Sequence, residues 1–232
     1  MVKFDELFVD PPPDRESYVL EQAVSFNPDQ WITRLPNDEW WPKRLDDLPC
    51  VGRWPAVDRR TVFHMAEDAN TSEGRRELLM AALVWGTGTK AREVARRARI
   101  FRENDLDWLD ERICSAKAEV DRGDPVAAYR VLNDRYARVK HFGPAFFSKL
   151  LYFATAGCIS GGHWPLIIDS NVALALNELS AQEWRVDERW DSGKYTSYLE
   201  LAHLWAEQWG TEPDVVERRL FERGKRLRGG AP

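Results

Sequence analysis

Lys149 and Asp169 are the two residues whose types and setting point to covalent chemistry. Lys149 stands in "HFGPAFFSKLLYFATAG", residues 141–157, and from Phe146 to Phe153 every position except Ser148 and Lys149 is apolar or aromatic. A buried charge is costly unless it is paired or neutralised. An amine held among Phe and Leu side chains has its pKa lowered by desolvation, which frees its lone pair and makes it a nucleophile. Asp169 follows twenty residues later, at the end of the short apolar stretch "WPLIID". A fixed carboxylate there can stabilise positive charge that develops as a bond breaks. Each residue also has a plain structural reading. The lysine stem can pack while its amine reaches water, and Asp169-Ser170-Asn171 is an N-capping cluster. Capping and chemistry are compatible at one aspartate.

The elements that must position these residues read as helices. Residues 1–57 are rich in proline and tryptophan ("DPPPD", "NPDQW", "RLPNDEWWPKRLDDLPC") and read as an irregular segment packed on the body, since bulky aromatics at that density pack on something. From Asp58 on, apolar residues recur at three-and-four spacing, with Ser72 as an N-cap. Helices are expected near 106–120, 125–139, 145–156, 171–180, 195–209 and 213–224. Pro125 and Pro213 stand in first helical turns. Helix 125–139, the bend "KHFGPA" and helix 145–156 make a helix–hairpin–helix, with Gly143 supplying the bend and Pro144 starting the second helix. Strand alternation is essentially absent and no repeat of 20 to 50 residues occurs, so the fold class is all-α, with a helical domain over 58–232.

Composition narrows the function. No run approaches 18 uncharged apolar residues, so no membrane-spanning helix is expected. The acidic, proline-broken start argues against a signal peptide. Three scattered cysteines and four dispersed histidines fit neither a disulfide framework nor a metal site, so a reducing cytoplasm and no metal or cofactor are expected. The net charge of -5 is segregated. Residues 90–102 hold six basic residues against one acidic, and 217–228 hold six against two. Such runs are either solvated helix faces or a surface for phosphates. "GTGTK" at 86–90 lacks the spacer of a phosphate loop and reads as a helix-breaking turn. "LIIDSNVALAL" also looks like the opening of a PIN-type nuclease, but the mostly helical remainder cannot complete that domain's parallel sheet.

"FGPAFFSKLLYF" followed by "IIDSNVALAL" resembles the signature of the helix–hairpin–helix DNA glycosylases, particularly the 8-oxoguanine DNA glycosylases. The motif resemblance covers about residues 125–180, and the architectural one 58–224. It implies base excision repair on double-stranded DNA carrying a damaged or modified base, by a nucleoid-associated monomer. By position, Lys149 would attack the sugar C1′ and give a Schiff base, with possible AP-lyase activity, and Asp169 would stabilise the sugar cation. Phe153 would form one face of the base pocket, with Trp205 and Trp209 as candidates for the other. DNA contacts would fall to Phe142, Gly143 and Ala145 at the hairpin and to Arg96 and Arg99 in the basic run. Where the family usually has two glycines before the lysine, this chain has Ala145 and Phe147. The alternative is a catalytically inactive DNA-binding or sensor protein in repair or genome defence, which the acidic pI and the missing glycines favour.

Overall fold

The computed structural model describes residues 7–8, 10–156, 163–186 and 189–229. Cys158 lies outside them. Eleven α-helices occur among the described residues: α1 Pro28–Ile32, α2 Arg59–Ala66, α3 Ser72–Thr87, α4 Ala91–Arg97, α5 Arg99–Glu103, α6 Leu106–Asp121, α7 Pro125–Asn133, α8 Pro144–Phe153, α9 Ser170–Leu179, α10 Ser192–Trp209 and α11 Pro213–Gly229. The fold is all-α. Its β structure among these residues is one small antiparallel sheet, β1 Val24–Ser25, β2 Cys50–Val51 and β3 Trp54–Val57, in the order β1-β3-β2.

The helix starts follow local chemistry. Asp58, Thr71, Asp105, Asp124, Asp169 and Asp191 each accept a backbone N–H of the first turn. Thr71, not Ser72, caps α3, and Ser72 is its first helical residue. Helix α7 stops at Asn133, six residues before the expected end, because Asp134 turns away and its side chain accepts the N–H of Tyr136.

Helix α8 is the centre of the molecule. Every residue from Phe147 to Phe153 is buried, so it has no solvent face and packs against α2, α3 and α7. The tryptophan-rich N-terminal segment supplies Phe26, Trp31 and Trp40 to the same core, with Trp40 lying 5.0 Å from Phe101 of α5.

The bend before α8 is not made by Gly143. Its φ is -86°, and an added Cβ there would meet nothing within 4 Å. The left-handed residue is His141, with φ 63°. A non-glycine residue there costs energy, and two contacts hold it. The His141 ring pairs with Glu103 at 2.7 Å, and its carbonyl accepts from Arg97 at 3.2 Å.

Candidate active site

Asp169 reaches its place at the end of an extended segment, Leu166-Ile167-Ile168, that is buried but joins no sheet. Buried backbone groups need partners, and hydroxyls supply them. The Tyr195 hydroxyl accepts from Leu166 N and donates to Leu166 O, both at 3.0 Å. The Tyr198 hydroxyl donates to Ile167 O at 2.9 Å. The Ser148 hydroxyl accepts from Ile168 N at 3.1 Å and donates to Ile168 O at 3.3 Å. Ser148 adjoins Lys149, and Ile168 adjoins Asp169. The one uncharged polar residue of α8's buried stretch apart from Tyr152 therefore ties the lysine's helix to the aspartate's segment.

Lys149 and Asp169 line one cavity of about 220 Å³. A dry cavity of roughly 150 Å³ already admits benzene, so the space suits a heterocyclic ring. Lys149 is 7% exposed. Burial lowers its pKa, with Asp169 and Glu217 pulling in the opposite direction and Arg59 and Arg97 reinforcing the fall. Its amine donates to the Ala145 carbonyl at 2.6 Å. Its stem lies against Gly86 of α3, where a Cβ would sit 2.8 Å from the lysine Cδ. Asp169 caps α9 through a single oxygen: Oδ1 accepts from Asn171 N at 2.8 Å and Val172 N at 3.1 Å. Oδ2 has no hydrogen bond among the described residues, and the carboxylate keeps a free oxygen beside the cavity.

Across the cavity stand groups that the motif reading did not single out. Glu217 of α11 is fully buried, and burial raises its pKa against the pull of Arg59. Arg59 donates to Glu217 Oε2 at 2.7 Å and to Gln22 Oε1 at 2.9 Å. The guanidinium lies over Trp85 at 4.9 Å and Tyr152 at 5.1 Å. Arginine only donates, so the amide of Gln22 must turn its Nε2 elsewhere. Trp85 and Phe221 supply aromatic surface to the same cavity. Helix α11 comes this close because Gly224 meets the backbone of α9. A Cβ there would fall 1.9 Å from Asn171 O.

The aromatic residues expected in the pocket lie elsewhere. Phe153 is fully buried behind Trp85, edge-on at 5.4 Å, and does not line the cavity. Trp205 and Trp209 pack on Phe8 at 5.6 and 4.6 Å, and Trp209 Nε1 donates to Asp10 O. All three are core. Phe153 shares its helix with Lys149, but α10, which carries the two tryptophans, contributes no residue to the cavity. Phe142 is 1% exposed and packs on Phe147, so its side chain offers nothing to a ligand. Gly143 opens α8 with no side-chain cap, and Ala145 contributes the carbonyl that holds Lys149. Arg96 is exposed. Arg99 pairs with Glu103 at 2.7 Å.

A family model described as "Putative 8-oxoguanine DNA glycosylase OGG-like protein" matches residues 17–221. The chain belongs to this family. No curated protein matches it, and no solved structure does. The match spans both the helical body and most of the tryptophan-rich N-terminal segment. That span includes every residue named above as lining the cavity. The all-α body is thus a glycosylase-like helical domain, and membership implies DNA binding.

Two of the missed cavity residues had a readable signal. Glu217, Leu220 and Gly224 share one face of α11, and Arg59, Val62 and Ala66 share one face of α2. A charge at a core-facing helical position is the mark of a buried pair or a site.

Proposed function

We propose that the protein is a DNA glycosylase that excises a damaged base, 8-oxoguanine first among candidates, with Lys149 as nucleophile. The observation that carries this reading is the pairing of a buried, pKa-lowered lysine and a half-free carboxylate in one base-sized cavity. The target nucleotide leaves the duplex and its base enters the cavity between Trp85 and Phe221. The neutral Lys149 amine uses its lone pair to form the C1′–Nζ bond. The C1′–N bond to the base breaks, and its electron pair and a proton leave with the base. Asp169 Oδ2 faces the sugar as positive charge develops on it and lowers that barrier. The C1′–O4′ bond then breaks as the C1′–Nζ bond becomes double, O4′ takes up a proton, and this ring opening gives the Schiff base, from which strand cleavage by β-elimination can follow.

The polar groups of the cavity support a guanine-type base. Glu217 has one carboxylate oxygen free of Arg59, an acceptor for ring and exocyclic N–H groups. Gln22 Nε2 is a donor for a carbonyl oxygen. The Watson–Crick edge of guanine offers that complement, two donors beside one carbonyl. At the hairpin, the uncapped start of α8 leaves the Ala145 N–H for a phosphate, since Pro144 has no N–H and those of Phe146 and Phe147 donate to Gly143 O.

Borohydride trapping on duplex DNA containing 8-oxoguanine tests the assignment. Wild-type protein is expected to form a covalent complex and release the base. Lys149→Gln is expected to fold, bind DNA and give no complex. Asp169→Asn keeps the cap, since asparagine caps about as well, but loses the charge, so excision falls by orders of magnitude at roughly tenfold per 1.4 kcal/mol. No trapping by the wild type on any lesion duplex, with DNA binding retained, would leave the sensor alternative.

A further inference from the structure

The most exposed large aromatic residue among those described is Tyr136, at 87%. It sits in the loop between α7 and α8 that leads into the hairpin, and it is displayed rather than loose. Asp134 Oδ1 accepts its N–H at 2.7 Å, fixing a turn. On its far side Val139 and Phe142 are buried in the core. Asn104 clasps Lys140 by both backbone groups, at 2.8 and 3.1 Å, and Arg97 holds the His141 carbonyl. These clasps seat the loop against α4 and α5, which carry the basic run 90–102. The tyrosine hydroxyl makes no hydrogen bond among the described residues, and the ring's neighbour is the Arg135 guanidinium, 5.1 Å from its centre.

The cations of this loop and several of those on α4 and α5 are free. Arg92, Arg96, Arg102, Arg135, Arg138 and Lys140 are all exposed and form no ion pair among the described residues. The second basic run is more heavily engaged: Arg218 pairs with Glu222, Arg219 is taken by Leu7 O, Arg223 by Glu178 and Arg228 by Ser170, which leaves Lys225 and Arg226. In a chain of net charge -5, this surface joins several unpaired cations to an aromatic ring that is 87% exposed, whereas Phe221 beside Lys225 is only half-exposed. An aromatic set among phosphate-binding cations is how proteins stack on nucleobases, and side-chain wedges enter opened base steps in the same way.

We propose that Tyr136 stacks on a base of the bound duplex at an opened step, while Arg135, Arg138 and Lys140 hold the flanking phosphates. This rests on the DNA glycosylase reading and adds to it a residue outside the cavity.

Fluorescence anisotropy with the full chain tests it, using a labelled duplex that carries a non-cleavable tetrahydrofuran abasic site. Tyr136→Ala is expected to weaken binding roughly ten- to a hundredfold, as loss of one base–aromatic stack does. The slope of log affinity against log salt should stay unchanged, because the ring carries no charge. Tyr136→Phe is expected to bind like wild type. Arg135→Ala should lower the salt slope by about one. Binding by Tyr136→Ala within twofold of wild type overturns the proposal and leaves the glycosylase reading untouched. So does a drop in its salt slope, which would mean the ring only positions Arg135. If wild type binds neither this duplex nor undamaged DNA at low salt, the DNA reading itself fails, and this proposal with it.

Discussion

Ser148→Ala isolates the joint between the two central residues. The substitution removes one hydroxyl from a fully buried position and adds no volume, so packing stays as it was. What it leaves is Ile168 with its N–H and C=O both buried and without partners. An unsatisfied buried polar group costs about 1–3 kcal/mol. The 3.1 Å bond to the N–H is the better of the two and the 3.3 Å bond to the carbonyl the weaker. Their joint loss is therefore about 2–4 kcal/mol. For a chain of this size, that is a fall in Tm of roughly 5–15 °C. Urea unfolding measures it directly, as a lower midpoint at unchanged slope. The extended segment that loses its tether ends at Asp169, so excision assayed well below the new Tm should also fall, by about tenfold for each 1.4 kcal/mol of misplaced stabilisation. A destabilisation under about 0.5 kcal/mol would refute the reasoning. It would mean that Ile168 is held by other groups and that Ser148 is only a small residue in a crowded helix.

Two further outcomes follow from the lysine's surroundings. Gly86→Ala places a Cβ 2.8 Å from Lys149 Cδ and 3.1 Å from Phe146 Cε1, so the lysine must leave its rotamer. Borohydride trapping should slow at least tenfold while overpacking costs about 1–3 kcal/mol, and an unchanged trapping rate would show that α3 does not position the amine. Burial lowers the Lys149 pKa from 10.5, and only the neutral amine attacks. The trapping rate should therefore rise with pH and reach half its plateau below pH 10.5, whereas a half-point at or above that value contradicts a desolvated nucleophile.

The fold and the site differ in how far they could be read from sequence. Helix type and position were legible because periodicity and capping residues are local. Asp124-Pro125 and Glu212-Pro213 mark helix starts whatever lies around them, whereas the helix expected from 195 begins at Ser192 behind its Asp191 cap. The end of α7 was not legible, because the apolar pattern runs on to Val139, which is buried as part of the loop rather than of the helix. Lys149 and Asp169 were found because a family signature spans them at fixed spacing. The facing wall was not, because it depends on which side of a helix meets the cavity. Phe153 was assigned from the family resemblance, one turn past Lys149, and Trp205 as an aromatic on a later helix, yet the ring that reaches the cavity is Phe221 of α11, brought there by Gly224. That glycine's role is a contact 53 residues distant in sequence, with Asn171, and no local pattern encodes it.

The site also shows why a chain retains polar groups in its most apolar helix. Replacing a buried ion pair by apolar residues often leaves a fold as stable or more so, and Lys149 does not even have a full partner. Its amine has a helix carbonyl, its charge is disfavoured by burial, and two arginines press it further in that direction. Arg59 and Glu217 satisfy each other at 2.7 Å, yet each still faces the cavity with a group left over. None of these choices is explained by stability, since Leu, Met or Phe would fill the same volumes at less cost. They are explained if the cavity must hold a neutral amine, an ionised carboxylate and a hydrogen-bonding edge within reach of one ligand. Ser148 belongs to the same logic: its hydroxyl lets an extended segment run through the core without a sheet, and so lets Asp169 cap a helix with one oxygen while the other stays free for chemistry.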